Sequence, residues 1–285
     1  SNMPGMDMGA ADPQAPLGPD PGDVGYPYYL INGRVPNDPV TVAAQPRQRL
    51  RLRLINAAAD TVFRVAVGGH RMTVVASDGF PVEPFDTGCL LIGMGERYDV
   101  VVTVGDGVFP VVALAEGKQG RGFALLRSGS GDPVPSDVVV AETTEVPSTA
   151  DRLAAAESVR LPDRAPDRIH DVRLGVDDRQ YIWTINGSAH PDYQPLEVRS
   201  GERVRLRFVN DTAMAHPMHL HGHTFRLAGT GGNTAAGARK DTSLVLPHRT
   251  LEVDLDTDNP GQWLLHCHNV YHGEAGMMTV MSYVR

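Results

Sequence analysis

The chain has 285 residues, of which 11 are histidine and only two are cysteine, and its formal net charge at pH 7 is −8. The length suggests about two domains of roughly 150 residues each, enough chain for two ordinary hydrophobic cores. The acidic balance offers no basic patch for nucleic acid, and two cysteines are too few for a disulfide framework. No apolar run approaches the roughly 18 residues of a membrane span, so we expect no transmembrane segment.

The first 24 residues are rich in Pro, Gly, Asp and Met, a composition that predicts a flexible tail. The thioethers of Met3, Met6 and Met8 are of the soft kind that binds Cu(I), but a plain interdomain remnant is the favoured interpretation. The start Ser1-Asn2-Met3 is typical of the remnant of a cleaved tag. We therefore expect a fragment of a longer protein, from which any signal peptide has been removed.

Two stretches of the chain return at a constant offset of 154 residues. The tripeptide Ile-Asn-Gly at 31–33 returns at 185–187, and the Arg/apolar alternation at 49–56 returns at 203–210. An alternation with a period of two predicts a strand that buries one face. Two copies at this spacing indicate a duplicated β domain and not a solenoid.

Short strand candidates separated by Gly and Pro turn signals favour a β-sandwich in each copy. Residues 98–104 and 251–255 are two such candidates. A stretch rich in Pro, Asp, Arg and Ala separates the copies, as linkers do, and only residues 150–159 within it show a possible helical period. We expect an all-β chain. Its predicted divisions are a tail at 1–24, a first domain at 25–145, a linker at 146–170 and a second domain at 171–285.

Six of the 11 histidines and one cysteine fall in two short segments of the second copy. These segments are 216–221 (HPMHLH) and 266–277 (HCHNVYHGEAGM). Thiolate, imidazole and thioether together are the ligand set of a blue-copper electron-transfer centre. A buried structural thiol is a poor alternative for Cys267, because so many other ligand-type residues surround it in sequence.

Alternation along a strand sorts these side chains into two groups that point to opposite faces. The first group contains His216 and Cys267, with His272 and Met277 on a loop that can fold back over the sulfur. The second group contains His219, His221, His266 and His268. The first is a His2Cys set with a weak axial Met, which suits copper. The second has too many imidazoles for one open catalytic zinc site and indicates part of a larger metal cluster.

Both segments resemble the C-terminal motifs of the multicopper oxidases, the family of laccases, ascorbate oxidase and bacterial copper-resistance oxidases. The family motifs H-x-x-H-x-H and H-C-H-x-x-x-H-x-x-x-x-M are matched at every ligand position and in order. The resemblance assigns His216, Cys267, His272 and axial Met277 to type 1 copper, His219 to type 2 copper, and His221, His266 and His268 to the type 3 pair. It also implies that both copies are cupredoxin-like Greek-key sandwiches in tandem.

The resemblance implies copper as the cofactor and an oxidase reaction. A donor, a small phenol or Cu(I), would lose one electron at type 1 copper, through an exposed edge of one of its histidines. The electron would pass from Cys267 to His266 and His268, and four such steps would reduce O2 to water, which makes these three residues the catalytic ones. The family also points to an extracytoplasmic location: secreted, cell-surface or periplasmic.

Half of the trinuclear cluster is missing from the sequence. The family supplies the other four ligands from an N-terminal domain with two H-x-H pairs, whereas His70 is the only histidine before residue 170. We therefore expect that domain to be the absent partner, and that the isolated chain holds type 1 copper without sustaining O2 reduction.

The first copy is expected to be free of copper. At the places of His216, His219 and His221 it has about Val62, Ala66 and Gly68, and around the place of Cys267 it reads Leu-Ala-Glu at 114–116. Cys89 is expected to be a buried free thiol.

Several further residues are interpreted by their surroundings in sequence. His223 is expected to support the ligand histidines without binding metal itself, and Met278 is expected to pack in the core. Asp241 is a candidate to accept a ring N–H from a metal-bound histidine, with a plain surface carboxylate as an equal alternative. The residues expected to be structural or on the surface are His70, His170, His190 and His248.

Two other functions share these ligands. One is a copper-binding or electron-transfer module that uses only the type 1 site, and the upstream part of the gene would distinguish it from the oxidase. The other is a two-domain, nitrite-reductase-like trimer with metal between subunits. That arrangement needs histidine ligands in the first domain, where residues 25–145 contain only His70.

Overall fold

The computed structural model describes residues 12–228 and 236–285. The methionines for which Cu(I) binding was considered, Met3, Met6 and Met8, lie outside the described residues. Within the described ranges no helix is long and apolar enough to span a membrane.

Strands of the first copy form two sheets around a common core. These strands are β1 (Thr41–Ala43), β2 (Arg49–Ile55), β3 (Phe63–Val67), β4 (Met72–Ser77), β5 (Phe80–Thr87), β6 (Leu90–Ile92), β7 (Arg97–Thr103), β8 (Val108–Ala115) and β9 (Arg121–Arg127). One sheet has the order β1-β9-β8-β3-β6 and the other β2-β7-β4-β5. The side chains of β2 alternate between exposed arginine and half-buried leucine, as the period of two predicts.

Strands of the second copy form two more sheets. The described strands are β10 (Arg168–Asp177), β11 (Ile182–Ile185), β12 (Leu196–Val198), β13 (Arg203–Asn210), β14 (His216–Leu220), β15 (Phe225–Leu227), β16 (Arg239–Lys240), β17 (Thr242–Val245), β18 (Thr250–Asp256), β19 (Gln262–Cys267) and β20 (Met278–Tyr283). Their orders are β11-β10-β13-β18-β15-β16 and β12-β20-β19-β14-β17. Helix α1 (Val270–Glu274) follows β19.

The repeated Ile-Asn-Gly tripeptide forms the same tight turn in both copies. Ile31 pairs with Arg34 across the first turn, and Ile185 pairs with Ser188 across the second. The Asn and Gly of each turn have φ between 49° and 78°, the left-handed conformation that a two-residue turn of this kind requires. The repeat in sequence is therefore a repeat in backbone structure.

The arginine face of β13 is covered by acidic side chains of β18. In register, Arg203, Arg205 and Arg207 lie opposite Asp256, Asp254 and Glu252, at 2.7 to 2.8 Å between charged atoms. Opposite charges across neighbouring strands favour this pairing. The neighbouring side chains Leu206 and Phe208 are buried in the core.

A buried ionic cluster joins the two copies. The ammonium of Lys240 on β16 lies 3.2 Å from Asp78 and 3.6 Å from Glu96, both in the first copy, and all three side chains are buried. Lys240 also donates to Ser77 at 2.8 Å. Burial raises the pKa of Glu96, while Lys240 opposes this effect. The cluster fixes the corner between β16 and β17 against the first copy.

The linker is packed and contains no α-helix. The period noted at 150–159 corresponds to two single 3-10 turns, Ala150–Arg152 and Glu157–Val159. Between them Ala154 bridges to Gly237 and Ala155 to Val82. These pairings with both copies hold the chain extended, which overrides its local helical preference.

The flexibility predicted for the N-terminal tail is not found in its described part, residues 12–24. Leu17 is buried against Val62, Leu91 and Met94 of the first copy. Further along, the backbone N–H of Val24 donates to Asp60 at 2.7 Å. The apolar contact at one end and the hydrogen bond at the other attach this segment to the first copy.

We predict that Lys240→Met destabilises the chain by about 3–5 kcal/mol, because removing one partner leaves buried carboxylates without compensation. Urea unfolding of the full chain measures this change. As a control, Arg34→Ala removes one partner of an exposed pair with Asp38 and should change stability by no more than about 0.5 kcal/mol. Similar stabilities for both variants would contradict the structural role of the cluster.

Candidate metal centre

The register of two antiparallel strands sets the positions of the predicted ligands. His219 on β14 lies opposite His266 on β19, and Met218 lies opposite Cys267. After β19 the side chain of Asn269 accepts the N–H of Tyr271 and caps α1. The helix turns the chain back over the sulfur of Cys267.

Three side chains converge on one buried point on the cysteine side. The Sγ of Cys267 lies 3.6 Å from Nδ1 of His216 and 3.8 Å from Nδ1 of His272, and the two nitrogens are 3.1 Å apart. A point equidistant from these three atoms lies about 2.0 Å from each, close to the bond lengths of nitrogen- and sulfur-bound metal ions. The three residues are at most 1% exposed.

The hydrogen bonds of both imidazoles leave the inner nitrogens available as ligands. Nε2 of His272 is 2.8 Å from a carboxylate oxygen of Asp23, to which it donates. Nε2 of His216 is 2.7 Å from the hydroxyl of Thr212, which donates its own proton to Asn210 at 2.8 Å. Both Nδ1 atoms then carry lone pairs. Two such nitrogens 3.1 Å apart repel each other unless a cation lies between them, so this pocket fits a metal ion.

Burial also keeps His216 and Cys267 uncharged before metal binds. It lowers the pKa of His216, with a further contribution from His272, and it raises the pKa of the Cys267 thiol. Since the thiolate is the form that ligates, an incoming ion must displace the proton of Cys267.

Met277 lies beside this group with its side chain buried. Its backbone N–H donates to the carbonyl of His272 at 2.9 Å, and its carbonyl accepts from Cys267 at 3.0 Å. The backbone therefore holds Met277 between the two ligand segments. Met278, expected in the core, is only partly buried.

The other four imidazoles lie together on the opposite face of the strands. Nε2 of His221 is 2.9 Å from Nε2 of His266. The ring of His219 lies 5.6 Å from that of His266 and 6.1 Å from that of His268, measured between centroids. All four side chains are partly exposed. Burial, with neighbouring imidazoles, lowers the pKa of His266 to about 4, so its ring is neutral and able to ligate at neutral pH.

Asp241 lies beside this imidazole row. Its carbonyl accepts from Nδ1 of His219 at 2.8 Å, which leaves Nε2 of His219 free. Its carboxylate receives two hydrogen bonds from Arg97 of the first copy, at 2.6 and 2.7 Å. Burial raises the pKa of Asp241, but the bonds from Arg97 and Thr242 outweigh it and hold the pKa below its usual range.

His223 and the first copy take no part in either group. The ring of His223 contacts the hydroxyl of Tyr283 at 2.7 Å. Val62 and Ala66 are buried apolar side chains. The ring nitrogens of His70 lie 2.8 Å from the carbonyl of Gly68 and 2.9 Å from the N–H of Gly105, so both are occupied.

Three residues around the cysteine group were missed by sequence reasoning. Asp23 accepts a hydrogen bond from His272, Trp183 stacks on the same ring with 3.8 Å between centroids, and Tyr181 donates to Asp23 at 2.8 Å. No local sequence signal indicates Asp23, which is 249 residues from His272.

The expectation that a histidine edge is exposed to donors is wrong, since His216 and His272 are fully buried.

Two sequence models of one family match the chain. Both are described as multicopper oxidase, and they cover residues 15–131 and 163–284.

Similar proteins are longer than this chain. Multicopper oxidase MmcO of Mycobacterium tuberculosis is 48% identical over 283 residues, which is 99% of this chain and 56% of the relative. A copper resistance protein A homolog of Pseudomonas syringae pv. tomato is 28% identical (87% and 57% covered). A laccase of Cryphonectria parasitica is 29% identical (83% and 50% covered). The chain thus spans about half the length of these relatives.

Solved structures support the fold. Fet3p, described as a multicopper oxidase that functions in iron import, aligns with a TM-score of 0.75 at 20% identity, covering 86% of this chain and 57% of that one. A mutant of the laccase from B. aclada aligns with a TM-score of 0.73 at 24% identity, covering 87% and 53%. The predicted all-β chain of tandem cupredoxin-like sandwiches is confirmed.

We predict that neither thiol of the native, metal-free chain reacts with a thiol reagent at pH 8 within minutes. Cys89 and Cys267 are both free and buried, and burial raises the pKa of Cys89 to about 12, so little reactive thiolate forms. In denaturant both should react at once. A rapidly reacting thiol in the native chain would contradict the sealed site.

Proposed function

Because the chain belongs to the multicopper oxidase family, whose cofactor is copper, we propose that it is the electron-accepting part of such an oxidase. His216, Cys267 and His272 would hold type 1 copper, with Met277 as the axial ligand. The observation that carries this proposal is the pocket formed by one thiol sulfur and two unprotonated Nδ1 atoms. Soft sulfur with imidazole suits both oxidation states of copper.

The imidazole row would hold half of a trinuclear cluster. We assign His219 to type 2 copper, and His221, His266 and His268 to the type 3 pair. Bound copper would supply one-electron oxidation of a donor at the first site and reduction of O2 to water at the second. Cys267 is the link, because its backbone neighbours His266 and His268 belong to the row while its sulfur belongs to the other site.

Residues that are not ligands orient and shield the ligands of both sites. Asp23 and Thr212 fix the tautomers of the two buried imidazoles, and the carbonyl of Asp241 does the same for His219. The dry surroundings of Cys267 keep water away from the sulfur. The Arg97–Asp241 pair ties the imidazole row to the first copy, which we propose to be a copper-free structural domain.

The absent partner would be an N-terminal cupredoxin domain with two H-x-H pairs. The imidazole row is partly exposed, and an open cavity of about 320 Å³ borders His219 and His223. Both features suit a surface that another domain completes. We propose domains at 25–145 and 171–285, which follow the division of the strands into two pairs of sheets except that β10 already begins at Arg168, within the expected linker. The proposed donors are small phenols or Cu(I), and the proposed location is extracytoplasmic, as relatives named laccase and copper resistance protein suggest.

A second candidate function is an electron-transfer module that uses only the type 1 site. It is favoured by one observation, that the cysteine group is the complete ligand set in this chain. A nitrite-reductase-like trimer has no such support, because His70, the one histidine within residues 25–145, already has partners on both ring nitrogens.

The visible spectrum of the chain loaded with Cu(II) tests the proposal. We expect an intense blue thiolate-to-copper band that Cys267→Ser abolishes and that the matched variant Cys89→Ser retains. A chain without the band, or a band that survives Cys267→Ser, would refute the type 1 assignment.

A separate test concerns O2. We predict that the copper-loaded chain alone shows no sustained O2 uptake with a phenolic donor, because four ligands of the cluster are absent. Uptake should appear in the longer protein with both H-x-H pairs, and should be lost there on His268→Ala. Steady uptake by the isolated chain, measured with an oxygen electrode, would favour a complete site in this chain and contradict the fragment proposal.

A further inference from the structure

The proposed type 1 ligands are sealed from solvent. His216 and His272 have no exposed surface, and Cys267 is 1% exposed. A donor in solution therefore cannot touch a ligand, and its electron must cross a covering residue.

Two aromatic rings form a continuous path from His272 to the surface. Trp183 stacks on His272 with 3.8 Å between centroids and 27° between planes, and is itself only 3% exposed. Tyr181 packs edge-on against Trp183 at 5.9 Å, within the usual range for aromatic pairs. Tyr181 is 42% exposed, so its ring meets both solvent and the buried stack.

Hydrogen bonds provide a second connection between Tyr181 and His272. The hydroxyl of Tyr181 donates to Oδ2 of Asp23 at 2.8 Å, and Nε2 of His272 donates to the same oxygen at 2.8 Å. Tyr181 thus reaches His272 both through the rings and through Asp23.

The backbone at Tyr181 is in an unusual conformation. Its φ is 52°, which costs a bulky side chain energy and persists only where surrounding contacts enforce it. The turn before β11 thereby holds the ring over Trp183.

We propose that Tyr181 is the docking point at which external donors deliver electrons to the chain, an inference that rests on the proposed type 1 site. The donor is an aromatic reductant of the phenol class that packs on the exposed ring. With copper held by His216, Cys267 and His272, this donor would lose one electron to the metal and release its phenolic proton to water. Tyr181 and Trp183 transmit the electron with no net change in their own oxidation state.

The experiment is anaerobic stopped-flow reduction of the Cu(II)-loaded full chain by hydroquinone, followed as loss of the blue band. Tyr181→Leu removes both the ring and the hydroxyl, and should lower the second-order rate about tenfold, which corresponds to about 1.4 kcal/mol of barrier. Tyr181→Gly is a second ringless variant that suits the positive φ and should show the same loss. Tyr181→Phe keeps the ring and should lose less.

The matched control is Tyr28→Leu. Tyr28 is also exposed, at 67%, and should leave the rate unchanged. Band position and reduction potential, measured by spectroelectrochemistry, should be the same in all variants, because none of the changed residues is a ligand and Asp23 keeps its own hydrogen bond to His272.

The outcomes separate the two proposals. Unchanged rates in both ringless variants, with band and potential preserved, would overturn the role of Tyr181. A slower rate accompanied by a shifted potential would assign Tyr181 to tuning of the site and would also overturn it. Absence of a blue band in the unaltered chain would instead refute the type 1 site itself.

Discussion

The pairing of β14 with β19 in one register determines which side chains can share a metal ion. With His219 opposite His266, the strand period of two places Cys267 on one face and its two histidine neighbours on the other. A slip of one residue would exchange the faces and disperse both groups. The register of these two strands thus places the buried sulfur group on one face and the row of imidazoles on the other.

The first copy supports this register from outside. Asp78 accepts the backbone N–H groups of Asp241 and Thr242, and Thr242 pairs with His219 across β14 and β17. Buried charges such as Lys240 are costly to desolvate, and they remain because each has partners. The first copy, which we propose to be free of copper, therefore helps to hold β16 and β17 of the second copy in place.

Much of the site could be predicted because its determinants are local. The spacing of His216, His219 and His221, and of the histidines around Cys267, reports strand alternation directly, and the Arg/apolar repeat reports the paired strands. The features that could not be predicted depend on contacts between distant parts of the chain. Asp23 and Trp183 reach His272 only through the tertiary fold. At 150–159 the helical pattern predicted a helix, but bridges to both copies keep this segment extended.

The burial of the sulfur site has a consequence for how the protein acquires its metal. An ion cannot diffuse to side chains that have no exposed surface, so some part of the cover must open first. Asp23 lies in the segment before the first copy, outside the sheets, and its bond to His272 closes the site from one side. Metal uptake and loss would then follow the rate of local opening, and a chain once filled would exchange its ion slowly even where the binding equilibrium is modest.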